Sequence, residues 1–335
     1  MYPSTRQLLW CSFVAPPLAL FGCGGDSKNQ SVSTGYFVDS GVQGLGYSSL
    51  SHSGVTGPGG SFNYVPGQNV FFSLYGQPLI ASTLSAQIQS NIVTPFHVNT
   101  AKVHPAYPIN VMRFLLALDA DSDPSNGITL PAHNGSFNVN FNQSLTDFEM
   151  DVGGNVKAFL KTYAKGQTLY PVRDTVLHFA QTLAKVGPSQ NYSLAFTGKT
   201  ATSVITNSKC SNTPTLTGGW LYTFGSGGFT MVGRDEFITS NTGSTCTLGP
   251  LGQLSYTYGS AATDEFLGCL PTCSYNQINR VSWIDKDADG RTAVEYSWHT
   301  PGTKEITYVK IIVEDLINKN NPQALSYFLE VITMQ

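Results

Sequence analysis

The 335-residue chain is poor in charge. Lys and Arg number 18 and Asp and Glu 21, so charged residues make up 12% of it, against about 25% in an average soluble protein. No run of Lys or Arg occurs, and the net charge is −3. A phosphate-binding groove needs a basic stripe, so nucleic acid is excluded as a partner. Beyond the first 22 residues no apolar run approaches the roughly 20 residues that span a bilayer as a helix, which speaks against a polytopic permease. Catalytic signatures are missing as well. There is no Gly-x-Ser-x-Gly elbow, no His-Glu-x-x-His and no P-loop. The six histidines, His52, His97, His104, His133, His178 and His299, are scattered. A hydrolase whose triad is assembled only by folding survives this screen.

What is present points to an exported β-rich protein. Apolar residues are 41% of the chain and aromatics 12%, enough to fill real cores and to exclude wholesale disorder. Gly numbers 33, and Ser, Thr and Asn are abundant, which suits a chain of strands joined by tight turns. Residues 1–22 read as an export leader. Arg6 supplies the positive start, Leu8 to Phe21 the apolar stretch, and Pro16 and Pro17 argue against one long helix. The leader closes with Leu20-Phe21-Gly22-Cys23 and is followed by Gly24-Gly25-Asp26-Ser27. This resembles the lipobox of bacterial lipoproteins. The resemblance implies cleavage before Cys23, diacylglyceryl transfer to its thiol and acylation of the new amino terminus. Several acyl chains exceed what stable membrane anchoring needs. With Gly rather than Asp after Cys23, the resemblance implies an outer-membrane destination on its periplasmic or cell-surface face. Residues 23–35 then serve as a flexible tether.

Cys11 leaves with the leader and Cys23 carries lipid, so four cysteines remain: Cys210, Cys246, Cys269 and Cys273. In an oxidising compartment they admit three pairings. We favour Cys210–Cys246 with Cys269–Cys273. Loop-closure arithmetic gives the first bridge about 3–4 kcal/mol. A zinc site of four thiolates is the rival, but only the Cys269/Cys273 pair has close ligand spacing.

The alternation and turn residues predict a mainly β protein in three parts. Residues 36–100 form a β-sandwich module, with Ser61 to Val65 alternating apolar and polar as a half-buried strand should. Residues 101–190 form a small helical connector, with helices expected over 110–118, 155–164 and 170–186. Pro171 sits in the first turn of the last, and Gly187 stops it. Residues 191–335 return to strands as an antiparallel meander, closed as a barrel or stacked as a sandwich. A last short helix is expected from Asn321-Pro322 to Ile332. The string VDSGVQGLGYSS followed by SGVTGPGGSFNYVPGQNVFFSLYG looks like a β-sandwich module of Gram-negative surface lipoproteins and large adhesins, similar to carboxypeptidase-regulatory or transthyretin-like folds. The string LDADSDPSNGI at 118–128 extends that resemblance, which implies an architecture and no catalytic residues.

Two acidic loops carry the strongest chemical signal. In Asp285-Lys286-Asp287-Ala288-Asp289-Gly290, carboxylates at alternate positions converge, and a hard cation relieves their repulsion. The twelfth position of an EF-hand loop would hold a bidentate Glu. Here it is Tyr296, with Glu295 one residue earlier, and the flanks read as strands, so this is a β-loop-β calcium site. The second loop offers Asp119, Asp121, Asp123 and Asn126 just after a helix, with Pro124 where a compact calcium loop has Gly. A solvated hairpin and an Asx-rich helix cap are the plain structural alternatives.

The sequence therefore predicts an outer-membrane lipoprotein stabilised by Ca²⁺ and disulfides. Its expected role is non-catalytic adhesion, binding or envelope scaffolding toward a surface polymer or protein. A calcium-dependent secreted hydrolase and a lipocalin-like small-ligand carrier are the alternatives. If calcium holds the loops, EDTA lowers the melting temperature in a thermal scan and added Ca²⁺ restores it. An unchanged melting temperature would count against both loops.

Overall fold

The computed structural model describes residues 31–83, 91–97, 104–135, 137–164, 167–186, 193–207, 218–234, 236–238, 246–259, 268–286, 290–299, 304–313 and 326–335. From Ser31 onward they form one compact unit. The N-terminal part is built from β1 (Ser33–Phe37), β2 (Val42–Gln43), β3 (Gly46–Ser48), β4 (Ser53–Val55), β5 (Ser61–Tyr64), β6 (Val70–Leu74), β7 (Gln77–Thr83) and β8 (Ile92–Val93). One sheet has the order β5-β1-β8 and a second the order β4-β3-β6-β7. The alternation expected in β5 and β6 is present: Phe62, Tyr64, Val70, Phe72 and Leu74 are buried while Asn63 and Phe71 are not. Aromatic rings join the two sheets, with Phe72 packing on Phe37 and Phe62 at centroid distances of 4.9 and 5.0 Å. This is the expected sandwich, sealed by inward-facing apolar residues.

The helical segment does more than connect. Helix α1 (Tyr107–Ala117) is buried along all 11 residues, the mark of a helix with protein on every side. Val111, Phe114 and Leu115 enter the sandwich core. Ile109 and Met112 enter a second core with Phe96 and with residues of the C-terminal sheet. Strand β9 (Ile128–Thr129) follows α1 and pairs in parallel with β2. Helix α2 (Leu145–Met150) was not expected from the apolar pattern. Its start is nevertheless written in the sequence: Ser144 Oγ accepts from Asp147 N at 3.0 Å and donates to the Asp147 carboxylate at 2.8 Å, a Ser-x-x-Asp cap. Helices α3 (Val156–Tyr163) and α4 (Val172–Val186) lie where expected, and α4 packs on α1 and on the C-terminal sheet.

That sheet has eight antiparallel strands. In chain order they are β11 (Thr200–Asn207), β12 (Gly219–Phe224), β13 (Gly228–Arg234), β16 (Gly252–Thr257), β18 (Arg280–Ile284), β19 (Ala293–His299), β20 (Glu305–Ile312) and β21 (Ser326–Met334), with β10 (Ser193–Ala195), β14 (Glu236–Ile238), β15 (Cys246–Leu248) and β17 (Thr272–Ser274) in two-stranded ribbons outside it. The spatial order is β16-β13-β12-β11-β21-β20-β19-β18. The sheet is open, so the closed-barrel form of the expectation, and with it the lipocalin-like carrier, is dropped. The expected last helix is also corrected. Residues 326–334 form β21, which pairs with β11 through Ala201↔Met334 to Asn207↔Phe328 and with β20 through Glu305↔Thr333 to Ile312↔Ser326. The β-branched and aromatic content of SYFLEVITM and two available strand edges outweigh its weak helical spacing. The strand aromatics serve mainly as core: Tyr222, Phe224, Phe229, Tyr296 and Trp298 are all buried. The tripeptide Leu270-Pro271-Thr272 is enclosed by Cys269 and Cys273, which stand at disulfide distance with Cα atoms 5.0 Å apart.

Candidate functional site

A well-formed concavity lies between the β1–β2 turn, the 125–127 turn and α4. It has a volume of about 560 Å³, within the range of small-molecule sites. Val38 and Ile92 supply apolar floor, while Ser40, Asn126, His178, Thr182 and Lys185 supply polar groups. Backbone geometry brings these segments together. Strand β1 is held by Val38 N donating to Val93 O at 2.7 Å, and Ile128 N donates to Gly41 O at 3.3 Å. The second bond lays Gly127 against the Ser40–Gly41 peptide, where an added Cβ on Gly127 would meet Ser40 O at 3.2 Å. Gly41 has φ +75, and a Cβ there would stand 2.9 Å from the Gly59 backbone. The turn is therefore tight on both sides.

Ser40 itself has φ 88, a conformation that side chains other than Gly rarely adopt. Its hydroxyl reaches across the cleft to α4. Ser40 Oγ and His178 Nε2 share a hydrogen bond of 2.5 Å, and Thr182 Oγ1 lies 3.3 Å from the same oxygen. His178, Thr182 and Lys185 stand at helical positions i, i+4 and i+7, one stripe of α4 beside the apolar stripe of Val176, Phe179 and Leu183. Burial, reinforced by the Lys185 charge, pushes the His178 imidazole below its ordinary range. It is neutral at pH 7 and free to accept a proton.

Directly before Ser40, Asp39 is wholly buried. Among the described residues neither of its carboxylate oxygens has a hydrogen-bond partner, and desolvation raises its pKa well above the ordinary carboxylate value.

The residues singled out by sequence fall in several places. Cys23, Cys210, Asp287 and Asp289 lie outside the described residues, and Cys246 lies in β15. Asp285 accepts from Trp283 Nε1 at 2.7 Å, while Glu295, buried in β19, pairs with Lys310 at 3.2 Å. The loop at 119–126 is knit from within. Asp119 Oδ1 accepts from Thr129 N at 2.9 Å, Asp121 from Asp123 N at 2.9 Å and Asn126 Nδ2 at 3.0 Å, and Asp123 from Ser125 N at 3.1 Å. The Asn126 and Asp123 N–H bonds hold Asp121 below the usual carboxylate range, whereas burial raises Asp119. Among the described residues no group of three His, Cys, Asp or Glu side chains converges as a metal site would. The loop presents Ser125, Asn126 and Gly127 to the cleft.

Sequence reasoning did not find Ser40 and His178. A Ser-Gly pair just after a strand was the one local sign. Their partnership spans 138 residues and depends on the β2–β9 pairing and the seat of α4. Comparison of the chain with protein-family models, curated proteins and solved structures finds no match.

The buried Asp39 gives a signed pH prediction. Its folded-state pKa is raised, so the folded form keeps the proton longer, and stability falls as pH rises above about 4, where an unfolded Asp ionises. Asp39→Asn removes that loss. It raises the melting temperature by a few degrees at pH 8, and the gain vanishes near pH 3, as read by calorimetry. A lowered melting temperature at pH 8 would mean that the carboxylate is ionised against a cationic partner.

Proposed function

We propose that the chain is an exported, lipid-anchored surface protein that binds a small polar ligand, or one unit of a surface polymer, in the cleft between Ser40 and α4. The cleft is the observation that carries this reading: it is the place where hydroxyl, amide, imidazole and ammonium groups converge over an apolar floor. It narrows the expected adhesion, binding or scaffold role to binding. Among the described residues lining the cleft, Lys185 is the one charged side chain and none is a carboxylate. That chemistry favours a ligand rich in hydroxyl or carbonyl groups with a single negative charge, such as a carboxylated saccharide. Anchoring through Cys23, an outer-membrane location, the Cys210–Cys246 bridge and calcium in the acidic loops belong to the same proposal and rest on the sequence. So does the likeness to Gram-negative surface lipoproteins. Among the described residues no helix is long and apolar enough to cross a membrane.

Two measurements test this reading. Cys23→Ser moves the protein from the membrane to the soluble fraction, and unchanged membrane retention would refute the anchor. A panel of uronic-acid oligosaccharides, titrated into isotopically labelled protein, shifts the amide resonances of Gly41, Gly127 and α4 together. Thr182→Trp fills the cleft and abolishes those shifts. Shifts that persist in the Trp variant, or none from any member of the panel, would sink the binding reading.

A further inference from the structure

We propose that Ser40 and His178 form a nucleophile–base pair that cleaves carboxylic esters bound in this cleft through an acyl-serine intermediate. The inference rests on the cleft being the binding site and adds a reaction to it.

Three observations carry it. The first is the contact itself: a serine hydroxyl and an imidazole nitrogen 2.5 Å apart, from segments with no sequence proximity, at the wall of a cavity large enough for a substrate. A serine is a weak nucleophile until a base within hydrogen-bond reach takes its proton. The second is backbone strain. Ser40 holds φ 88 on a turn squeezed between Gly59 and Gly127. Strain of this kind costs about 1–3 kcal/mol and persists where the surrounding structure enforces it, as at active sites. A Gly at position 40 would relieve it. The third is the support around the pair. Thr182 Oγ1, 3.3 Å from Ser40 Oγ, limits the hydroxyl rotor, and α4 fixes His178 through the buried side chains of Val176 and Phe179. The lowered basicity of His178 keeps it unprotonated at neutral pH, in the form that can act as a base.

The reaction balances without a cofactor. Ser40 Oγ attacks the ester carbonyl carbon as its proton passes to His178 Nε2, and the carbonyl π pair moves onto oxygen. The tetrahedral adduct collapses, the bond to the alkoxy oxygen breaks, and that oxygen leaves as an alcohol with the proton from His178. Water then attacks the acyl carbon while giving a proton to His178 Nε2. Ser40 Oγ departs and recovers that proton, and the product is a carboxylic acid. Lys185, one turn beyond Thr182 on the same stripe, selects an ester whose acid or alcohol part is anionic. An O-acylated acidic saccharide has this chemistry.

The test uses the full-length chain, detergent-extracted, with a biotinylated alkyl fluorophosphonate and p-nitrophenyl butyrate. Intact mass rises by one phosphonyl group, and peptide mapping places it on Ser40. Ser40→Ala takes no label, and His178→Gln labels at least ten-fold more slowly. Ester turnover falls in parallel in both variants. Thermal melts of the variants show that they remain folded. Equal labelling of Ser40→Ala, or label on another serine, would overturn the proposal. So would an unlabelled wild type that still shows saccharide shifts at Gly41 and Gly127, and in that case the binding reading stands. Absence of both label and shifts would remove both.

Discussion

The structure turns on one buried helix. α1 has protein on every side, so each of its polar side chains must find a partner away from water. Asn110 Nδ2 donates to Phe141 O at 3.1 Å and Gln143 O at 2.9 Å. Arg113, 1% exposed, donates through Nε to Tyr170 O at 2.6 Å and through a terminal nitrogen to Glu149. Burial lowers the Arg113 pKa, and the Glu149 carboxylate offsets that shift. Glu149 is partly exposed while Arg113 is buried, and these bonds tie α1 to α2 and to the entry of α4. The same helix feeds Phe114 and Leu115 into the sandwich and Met112 into the core beneath the C-terminal sheet.

This frame explains the cleft. The sandwich presents the β1–β2 turn, α1 delivers the chain to the 119–126 loop and β9, and Arg113 braces Tyr170, two residues before α4 begins. The three walls of the cavity are thus positioned by elements that all touch α1 or its immediate extensions. The cleft holds local groups that the rest of the fold must stabilise: a non-glycine residue at φ 88 and, beside it, a buried Asp39 carboxyl group without a hydrogen-bond partner among the described residues. Both sit on the same turn. Unfavourable groups gathered at one place on an otherwise well-packed scaffold are expected where function competes with stability.

Much of the architecture was legible in the sequence for identifiable reasons. The alternation in 61–65 and 70–74 gave buried strands because the side-chain period of a strand is two, and Pro171 marked the start of α4 because a proline is tolerated only in a helix's first turn. What was not legible came from tertiary pairing. Residues 326–334 became β21 because β11 and β20 both had edges to satisfy, a fact absent from the local pattern. The acidic string 119–126 was read as a cation site from its composition. Its oxygens also accept backbone and side-chain N–H groups, a set of bonds that a string of letters does not reveal. His178 is one of six scattered histidines in the sequence, and it is the parallel β2–β9 bridge, two residues long, that helps give it a partner.

The cleft depends on the contact between the strained turn and α4. The direct measurement is the ¹⁵N spectrum of the His178 ring in the full chain at neutral pH. The expected result is an imidazole protonated on Nδ1, with Nε2 accepting from the Ser40 hydroxyl, and an Nε2 resonance that moves when Ser40 is replaced by Ala. A ring protonated on Nε2, or a resonance indifferent to that replacement, would contradict it.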